Sequence, residues 1–545
     1  MPQRAAAGTF GADRPAGEAA AGRSAVLARQ GMVATSQPLA AQAGLRALEQ
    51  GGNAFDAAVV TAAMLAVVEP MMTGPGGDVF ALGWSAHDQK LFGLNGSGFS
   101  PAGVNRSFFE KRNLERVPTT GPFSVTVPGA VDAWAALLEA HGRWSLAQAL
   151  APAIEYAREG FPVSEIIGAD WEKGGPPHAG NEAFRRTFLK MDGRGYRHGE
   201  VFRNPDLART FEAVAAGGRD AFYRGEIAEK IALEMERLGW PLTLEDLAFQ
   251  RSDWVKPIST DYKGYCICEL PPNGQGLAAL EMLNILEGYD LRGMGRNSAE
   301  YLHLLIEAKK LAYADLAAWL ADPEQARLPV DTLISKEYAA RQRARIDPGR
   351  AAQSVTTGVD IGSADTVYLT AVDKDRNVVS FINSIFHNFG SGVVVPGTGF
   401  ALQNRGALFS LQPGHPNEIA PRKRPYHTII PAMALRDGRP WMSFGVMGGD
   451  MQPQGHVQVL LNRIEFGLNV QEAGEAARFR HNPDTGVAVE SGIGATVVQQ
   501  LARLGHDLRW APGSFGGYQA IEIDWERGVL WGGTDPRKDG AVAAY

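Results

Sequence analysis

The sequence predicts a mixed α/β fold, and two changes of pattern along the chain lead to that prediction. Residues 130–350 are dominated by helical segments, in which apolar residues recur at intervals of three and four positions. After about residue 350 the chain turns polar and glycine-bearing, and then alternates as β-strands do. With 45% hydrophobic and 21% charged residues in a chain of 545, the composition is typical of a globular protein with a large core.

The N-terminal part contains two consecutive helices with clear boundary signals. Ser36 is placed to cap the first helix, whose first turn holds Pro38 and which ends at the Gly-Gly pair 51–52. Asn53 is placed to cap the second helix, which runs over 54–69. This second segment is apolar nearly all round, and a helix without a polar face belongs in a core.

The charge balance and the N-terminus exclude some partners. A formal net charge of −7 and a pI near 5.9 leave no basic surplus to neutralise a phosphate backbone, so no nucleic acid partner is predicted. Residues 1–30 are rich in Ala, Gly and Arg but lack the apolar core of a signal peptide, and we interpret them as a mobile tail. The helix that begins at Ala54 is too short to span a bilayer and contains Asp56. We therefore expect a cytoplasmic protein without a membrane partner.

The cysteine and histidine positions give no sign of a cofactor. Cys266 and Cys268 stand at i and i+2 in a strand-like segment, so both thiols are expected on one face, where a disulfide has poor geometry. No further ligands lie nearby at zinc spacing, and none of the 11 histidines forms an HExxH pair. The chain also lacks a GxSxG elbow, a Walker loop and a GxGxxG fingerprint. We therefore predict no metal and no other cofactor.

One hairpin in the strand-rich part brings two hydroxyl groups together. The segments TVYLTAV and VVSFINSIF flank the turn DKDRN. With the turn symmetric about Asp375, Val372 faces Val378 and, further outward, Thr366 faces Ser384. Glycine-rich loops follow this hairpin, and in such loops backbone amides can approach a ligand closely. The loops are NFGSGVVVPGTGF, GVMGGDMQPQG and SFGGYQA.

Seven landmarks in a fixed order carry a resemblance to a known family. They are GMVATSQPLAAQAGLRALEQGGNAFDAAV, VPGAVDAW, AFYRGEIAEKIA with LPPNGQG, TVYLTAVDKDRN, RKRPYHTIIPA, GVMGGD and TDPR. Through them the chain resembles the gamma-glutamyltransferase family over nearly its whole length, from Gly31 to Tyr545. The resemblance implies the N-terminal-nucleophile hydrolase fold, a four-layer αββα sandwich. It also implies one inactive chain that cleaves itself before a threonine.

The family's threonine matches Thr366, so the resemblance implies cleavage between Asp365 and Thr366. The products would be a large fragment, 31–365 behind the tail, and a small fragment, 366–545, which stay associated. A threonine hydroxyl is a weak nucleophile, and the freed α-amine, with a pKa of about 8, would serve as its base. Outside this context the same threonine would be an ordinary first residue of a strand.

The resemblance also assigns groups around the nucleophile. Gly448 and Gly449 match glycines whose amides stabilise the oxyanion, and the less favoured alternative is a plain Gly-Gly-Asp turn. Ser384 matches a supporting hydroxyl, in agreement with the hairpin register, and its alternative is a solvated strand serine. Thr428 matches one of two adjacent serines that line the site. The other is replaced by His427, which either donates to the substrate or is a hydrogen-bonded structural histidine.

Several positions depart from the family pattern. The threonine that normally follows the nucleophile is Val367 here. The polar and acidic groups that hold the α-ammonium of a glutamyl substrate match Phe386, Arg405 and Leu408, and none of these supplies a carboxylate. The arginine that binds the α-carboxylate corresponds to about Ser97. An α-ammonium would therefore lose its acceptors.

These departures favour a substrate with a free carboxylate but no required α-ammonium. Arg405 offers a planar cation suited to a carboxylate. The basic residues Arg422, Lys423 and Arg424 either add positive charge near the site or form a solvated run. Family members of this kind include acylases that act on glutaryl-type amides and on oxamate.

The sequence thus predicts a self-processing N-terminal-threonine amidohydrolase or acyltransferase. Its substrates would be γ-glutamyl or related carboxylate-bearing acyl amides, cleaved through an acyl-enzyme. Two alternatives stay open: a dicarboxylic-amide acylase, and an unprocessed homologue that binds without catalysis. The expected partners are a small-molecule amide and the other fragment of the same chain, with a homodimer as a further option.

Overall fold

The computed structural model describes residues 22–353, 366–482, 486–509, 513 and 515–545, and the structural statements below concern those residues. They form two seven-stranded sheets and two small sheets of three and two strands. The strands are β1 Val26–Ala28, β2 Met32–Thr35, β3 Asp78–Ser85, β4 Lys90–Gly96, β5 Phe161–Pro162, β6 Val201–Phe202, β7 Asp253–Val255, β8 Ile258–Tyr262, β9 Tyr265–Glu269, β10 Val367–Val372, β11 Val378–Ser384, β12 Ala432–Arg436, β13 Arg439–Val446, β14 Phe479–His481, β15 Gly486–Val489, β16 Asp507–Arg509, β17 Tyr518–Asp524, β18 Val529–Thr534 and β19 Ala541–Ala544.

Most of the described helices lie in the first two thirds of the chain. They are α1 Pro38–Glu49, α2 Ala54–Val68, α3 Arg106–Glu110, α4 Ala130–His141, α5 Leu146–Glu159, α6 Glu165–Gly174, α7 Glu182–Phe188, α8 Pro205–Tyr223, α9 Glu226–Arg237, α10 Leu244–Phe249, α11 Gly276–Leu286, α12 Leu291–Met294, α13 Ala299–Trp319, α14 Val330–Leu333, α15 Lys336–Arg343, α16 Met451–Ile464, α17 Val470–Glu475 and α18 Ala495–Arg503.

The two large sheets face each other and are covered by helices on their outer sides. The first sheet has the order β19-β2-β10-β11-β3-β4-β7, and the second has the order β1-β18-β17-β13-β12-β9-β8. A buried apolar layer between them joins Phe80 and Ile382 of the first sheet to Met433 and Ile521 of the second. Helices α2 and α4 cover the first sheet, and α11 and α16 cover the second. The predicted four-layer αββα sandwich is therefore confirmed.

Both large sheets interleave segments from the two sides of the predicted cleavage point. In the first sheet, β10 lies between β2 and β11, and β11 pairs in turn with β3. In the second sheet, β12 lies between β9 and β13. Two fragments divided at residue 365 would therefore share continuous strand ladders, which is a physical reason for them to stay associated. Asp365 itself lies outside the described residues.

The two N-terminal helices form where the sequence predicts them, with one change of cap. The second helix is confirmed: Asn53 caps α2 with a capping box, and every residue of α2 is buried. The first helix is capped by Gln37, whose Oε1 accepts from the amides of Leu39 and Ala40. The prediction of Ser36 as the cap is wrong because its hydroxyl donates to Glu69 Oε1 instead, at 2.6 Å.

The remaining predictions about the chain have mixed outcomes. Cys266 and Cys268 lie on β9 with their sulfur atoms 3.7 Å apart, so the prediction that they share one face is confirmed. Strand β1 lies within the segment 1–30, which we interpreted as a mobile tail. It pairs with β18 at the edge of the second sheet, so this part of the segment belongs to the fold. Residues 1–21 lie outside the described residues. Among the described helices, none combines the length and the apolar character that a membrane crossing needs.

Candidate active site

Thr366 and Ser384 stand side by side at the open end of the β10–β11 hairpin. Val372 pairs with Val378 and Val367 with Asn383, so the predicted register is confirmed. The hydroxyl oxygens of Thr366 and Ser384 are 3.1 Å apart, and both side chains are buried. The catalytic roles assigned to these two residues stay predictions, but the geometry that they require is present.

The hydrogen bonds of Ser384 fix the direction in which its proton points. Its Oγ accepts from Arg405 Nη2 at 2.7 Å and from the Phe386 amide at 3.0 Å. A hydroxyl has two lone pairs and one proton, so these two bonds leave Ser384 as the donor toward Thr366. The proton of the Thr366 hydroxyl is then free to pass to a base.

Arg405 differs from the other buried arginines of the described chain. Arg424, Arg478, Arg480 and Arg537 each form an ion pair with a carboxylate. Arg405 is fully buried and has no carboxylate within 4.0 Å among the described residues. A buried charge without a counter-charge is costly, so the position of Arg405 demands a reason beyond packing.

The guanidinium of Arg405 contacts Ser384, one of the two adjacent hydroxyl groups. Besides Ser384, it donates through Nη1 to Thr428 Oγ1, and its Cζ lies 4.6 Å from the ring centroid of Phe386. Its Nε has no hydrogen-bond partner in the described part of the chain. Burial lowers the pKa of Arg405 to about 9, against the opposing effect of the Asp78 charge, so it is a cation at neutral pH.

Asp78 is a buried carboxylate that the sequence analysis missed. Four groups donate to it: the amides of Gly98 and Gly129 and the side chain of Gln403 bond to Oδ1, and His427 bonds to Oδ2 at 3.1 Å. Burial raises the pKa of Asp78 to about 7, although the Arg405 charge and these hydrogen bonds act in the opposite direction. Asp78 therefore titrates near neutral pH beside the candidate nucleophile.

Both ring nitrogens of His427 have protein partners. The Ile429 amide donates to Nδ1 at 3.4 Å, so Nε2 carries the proton and donates to Asp78. Burial, followed by the Arg405 charge, holds the pKa of His427 well below its usual value, and the ring is neutral. Of the two alternatives for His427, the geometry favours the hydrogen-bonded structural histidine.

The amides of Gly448 and Gly449 are available to a ligand. Their carbonyls accept from the amides of Met451 and Gln452, but neither glycine N–H donates to any group of the described chain. The backbone φ angles are +118° at Gly448 and +61° at Gly449, a region that residues with a side chain rarely adopt. Two unpaired amides on consecutive glycines have the character of an oxyanion site.

Ser97 lies apart from the nucleophile. Its hydroxyl donates to Asn95 Oδ1 at 2.7 Å and accepts from Asn273 Nδ2 at 3.2 Å. No hydrogen bond within the described residues joins it to Thr366 or Arg405. Its assignment to substrate binding therefore stays a prediction without a contact to support it.

The basic run 422–424 is not a solvated stretch, because two of its three side chains are buried. Arg422 pairs with Glu245. Lys423 is buried and donates to the carbonyls of Pro416 and Glu418. The buried Arg424 pairs with a carboxylate on β7 and donates to the Ser97 carbonyl. The solvated alternative is wrong because Lys423 and Arg424 are buried, and the alternative of added positive charge near the site stays a prediction.

The described chain offers one group that could hold a metal ion. Ligating atoms of His303, Glu307 and His506 lie within 4.8 Å of one another. However, His303 Nδ1 and His506 Nε2 are hydrogen-bonded at 2.8 Å, and Glu307 is paired with Lys310. These bonds already occupy the ligand atoms, so the arrangement fits a polar core better than a metal centre.

Two large cavities lie elsewhere on the surface. One, of about 930 Å³, is lined by residues that include Thr120, His178 and Ser391. The other, of about 740 Å³, lies between α1 and α5. Thr366 lines neither of them, and its side chain is buried with 1% exposure.

The two sheets with their outer helices, closed over a buried terminal threonine of a strand, define the N-terminal-nucleophile hydrolase fold. The cephalosporin acylase from Bacillus halodurans has the same fold, with a TM-score of 0.91 and 44% identity over 98% of this chain and 99% of that one. A family model described as gamma-glutamyltranspeptidase matches residues 40–545. The chain therefore belongs to the gamma-glutamyltranspeptidase family.

Relatives with known names support an enzyme of this hydrolase family. The glutathione hydrolase-like YwrD proenzyme of Bacillus subtilis (strain 168) is 39% identical over 528 residues, covering 95% of this chain and 99% of the relative. The oxamate amidohydrolase proenzyme of Klebsiella pneumoniae subsp. pneumoniae is 35% identical over 530 residues, covering 94% and 98%. The first is named as a hydrolase-like proenzyme and the second as an amidohydrolase proenzyme.

Proposed function

We propose that this chain cleaves itself before Thr366 and then uses that threonine to hydrolyse or transfer acyl amides that carry a carboxylate. The observation that carries this proposal is the contact between Thr366, Ser384 and Arg405, a cation that pairs with no carboxylate among the described residues. A nucleophile, a hydroxyl that orients it and a charge for the substrate thus lie within one hydrogen-bonded group. The proenzyme relatives support the self-processing part of the proposal.

Self-cleavage would proceed through an ester. The Thr366 Oγ attacks the carbonyl carbon of Asp365, the peptide C–N bond breaks, and the nitrogen takes the hydroxyl proton. Water then hydrolyses the ester, which returns the Asp365 carboxylate, the Thr366 hydroxyl and a free α-amine. That amine has a pKa of about 8 and accepts the hydroxyl proton when a substrate amide is attacked.

The substrate reaction would repeat this chemistry on another carbonyl. Thr366 forms an ester with the acyl group and the amine leaves, and water or a second amine then releases the acyl group. The Gly448 and Gly449 amides would stabilise the tetrahedral oxyanion of each step, and one such donor contributes about 3 kcal/mol. Their lack of a protein acceptor in the described chain supports this role.

The acyl group would carry a free carboxylate that binds Arg405. The buried guanidinium has an unpartnered Nε and no carboxylate within 4.0 Å in the described residues. Asp78 is not positioned to bind an α-ammonium, because its oxygens already accept from four groups. A glutaryl-type or other dicarboxylic monoamide therefore fits better than a γ-glutamyl compound. The similarity to a cephalosporin acylase and an oxamate amidohydrolase supports the same choice.

The first experiment tests processing. Purified protein is incubated and separated by denaturing electrophoresis, and the smaller fragment is sequenced from its amino terminus. We expect fragments of 365 and 180 residues with a start at Thr366, and a single full-length band for Thr366→Ala. A wild-type chain that stays whole would instead support the alternative of a non-catalytic binding protein.

The second experiment tests the substrate class. Hydrolysis of glutaryl-p-nitroanilide is compared with that of γ-glutamyl-p-nitroanilide, which differs only by the α-ammonium. We expect a higher kcat/KM for the glutaryl compound, because no free acceptor meets the ammonium. Equal or better hydrolysis of the γ-glutamyl compound would instead favour a substrate of the glutathione hydrolase type, which the name of the YwrD relative suggests.

A further inference from the structure

Gln275 belongs to the LPPNGQG segment, in which no role was assigned to any residue. It directly precedes α11, and its side chain is completely buried. Its Nε2 donates to the carbonyl of Thr428 at 2.6 Å and to the carbonyl of Gly449 at 2.8 Å. Its Oε1 accepts from the Tyr426 hydroxyl at 2.7 Å. Both amide protons and the amide oxygen are therefore in use, and the side chain is held in one orientation.

The two carbonyls that Gln275 binds belong to different parts of the candidate site. Thr428 contacts the Arg405 guanidinium, which in turn contacts Ser384 and, through it, Thr366. Gly449 belongs to the turn with the two unpaired amides. In the described chain, Gln275 is the side chain that donates to both Thr428 and Gly449. It therefore connects the candidate nucleophile to that turn through a continuous series of hydrogen-bonded residues.

The backbone beside Gln275 reinforces this link. The Gln275 amide donates to the His427 carbonyl at 3.1 Å, and the His427 amide donates to the Asn273 carbonyl at 2.9 Å. The segment 273–275 thus runs beside 427–428 as a short parallel bridge around Gly274. The Gln275 side chain extends from this fixed backbone, so it has little freedom to move relative to Thr428.

We propose that Gln275 is a positioning residue, which fixes the Gly448–Gly449 turn relative to the nucleophile; this inference rests on the proposed function. The Gly449 carbonyl lies on the peptide that follows the two candidate oxyanion amides, so a bond to it restricts rotation of the turn. Gln275 precedes the predicted cleavage point, whereas Thr428 and Gly449 follow it. The large fragment would then supply a group on which the small fragment's active site depends.

The test replaces Gln275 with an isosteric residue that cannot donate two bonds. In Gln275→Glu a carboxylate oxygen faces the carbonyls of Thr428 and Gly449, so both donated bonds are lost while the shape is kept. We expect kcat per processed active site to fall by about 10- to 100-fold, as for a misplaced oxyanion donor, with KM changed by less than about threefold. Self-cleavage, which needs the same turn, slows as well.

The matched control is Gln458→Glu. Gln458 is also buried, donates through Nε2 to two carbonyls, those of Gln454 and Phe479, and accepts from the Phe479 amide. The control therefore suffers the same chemical change outside the site. We expect a comparable loss of thermal stability in both variants but a loss of kcat in Gln275→Glu alone.

A pH profile separates positioning from general damage. A buried glutamate has a raised pKa, and its protonated form recovers one donor. The activity of Gln275→Glu relative to wild type should therefore rise as the pH is lowered from 8 to 6, and that of Gln458→Glu should not. If Gln275→Glu processes too slowly to yield enough mature enzyme, the first-order rate of precursor cleavage replaces kcat as the readout.

The inference is overturned if Gln275→Glu keeps kcat and cleavage rate within about twofold of wild type, or if Gln458→Glu loses as much of both. An inactive, unprocessed wild-type chain would instead refute the proposed function, whatever Gln275 does. Gln275→Met provides a second variant without charge, and it should show the loss of kcat without the recovery at low pH.

Discussion

The hydroxyl oxygens of Thr366 and Ser384 lie 3.1 Å apart, and Ser384 is the donor because Arg405 Nη2 and the Phe386 amide already occupy its oxygen. This direction matters for the proposed reaction. A hydroxyl that receives a hydrogen bond while its own proton stays free can be held in place and still be deprotonated. Ser384 would therefore orient the nucleophile without competing for the base.

Replacement of Ser384 by alanine tests this orientation. We expect kcat to fall by about 10-fold or more, as for loss of a hydrogen bond to a group that becomes charged, while processing is slowed. Ser380→Ala is the matched control, since Ser380 is a buried serine of the same strand that bonds to the Tyr368 hydroxyl at 2.8 Å. Equal losses in the two variants would assign Ser384 a purely structural part.

Replacement of Arg405 by methionine tests the carboxylate site. We expect kcat/KM for glutaryl-p-nitroanilide to fall about 100-fold further than that for the uncharged butyryl-p-nitroanilide, because only the former loses a charge-assisted bond. The ratio between substrates is the readout, since Arg405 also contacts Ser384. Arg422→Met, which removes a cation paired with Glu245, should leave the ratio unchanged. An unaltered ratio in Arg405→Met would place the carboxylate elsewhere.

The pKa of Asp78, about 7 through burial, predicts a pH-dependent affinity for anions. Below pH 7 Asp78 is protonated and Arg405 acts alone, whereas above pH 7 the Asp78 charge opposes part of the Arg405 field. The KM for the glutaryl compound should therefore rise about threefold between pH 6 and pH 8, an effect of a nearby charge pair at moderate effective dielectric. The butyryl compound, measured in the same way, should show no such rise.

Asp78→Asn provides the check on that assignment. It keeps the size of the side chain but removes the titration, so the KM for the glutaryl compound should become flat between pH 6 and pH 8. The Thr366 amine still titrates near pH 8 and affects both substrates equally through kcat. A rise of KM that survives in Asp78→Asn would point to another titrating group.

Replacement of Gly448 by alanine tests the proposed oxyanion turn. Gly448 has φ +118°, and an added Cβ would lie 3.2 Å from Met451 Cβ, so the turn must shift. We expect the precursor to accumulate and the residual kcat to fall by about 100-fold. Gly467→Ala is the control, because Gly467 also has a positive φ, +67°, but its added Cβ would meet no atom within 4 Å. It should lose about 1 kcal/mol of stability and keep its activity.

Local patterns predicted the parts of the site that lie on one hairpin. The register of β10 and β11 follows from the turn between them, so the approach of Thr366 to Ser384 could be found from sequence spacing alone. The buried helix α2 and its Asn53 cap were equally visible, because apolar character and capping are properties of neighbouring residues. The seven ordered landmarks gave the family, which the comparisons confirm.

Contacts between distant segments were not visible in the same way. Asp78 is the first residue of β3, whereas Gln275 and Gln403 lie outside the strands, and no sequence pattern marked any of the three as part of the site. The burial of the run 422–424 was not visible either, since its partners, such as Glu245 and the Ser97 carbonyl, lie far away along the chain. Only burial and pairing in the folded state distinguish a free cation from a satisfied one.

The sequence by itself determined the mixed α/β class and the hairpin that pairs Thr366 with Ser384, because both depend on residues close together along the chain. The tertiary structure decided which charges face one another. Among the described residues it left Arg405 without a carboxylate within 4.0 Å, gave Asp78 four donors and set Gln275 between two carbonyls. Electrostatic and hydrogen-bond partners in a buried site come from several layers at once, and their identity depends on how those layers pack.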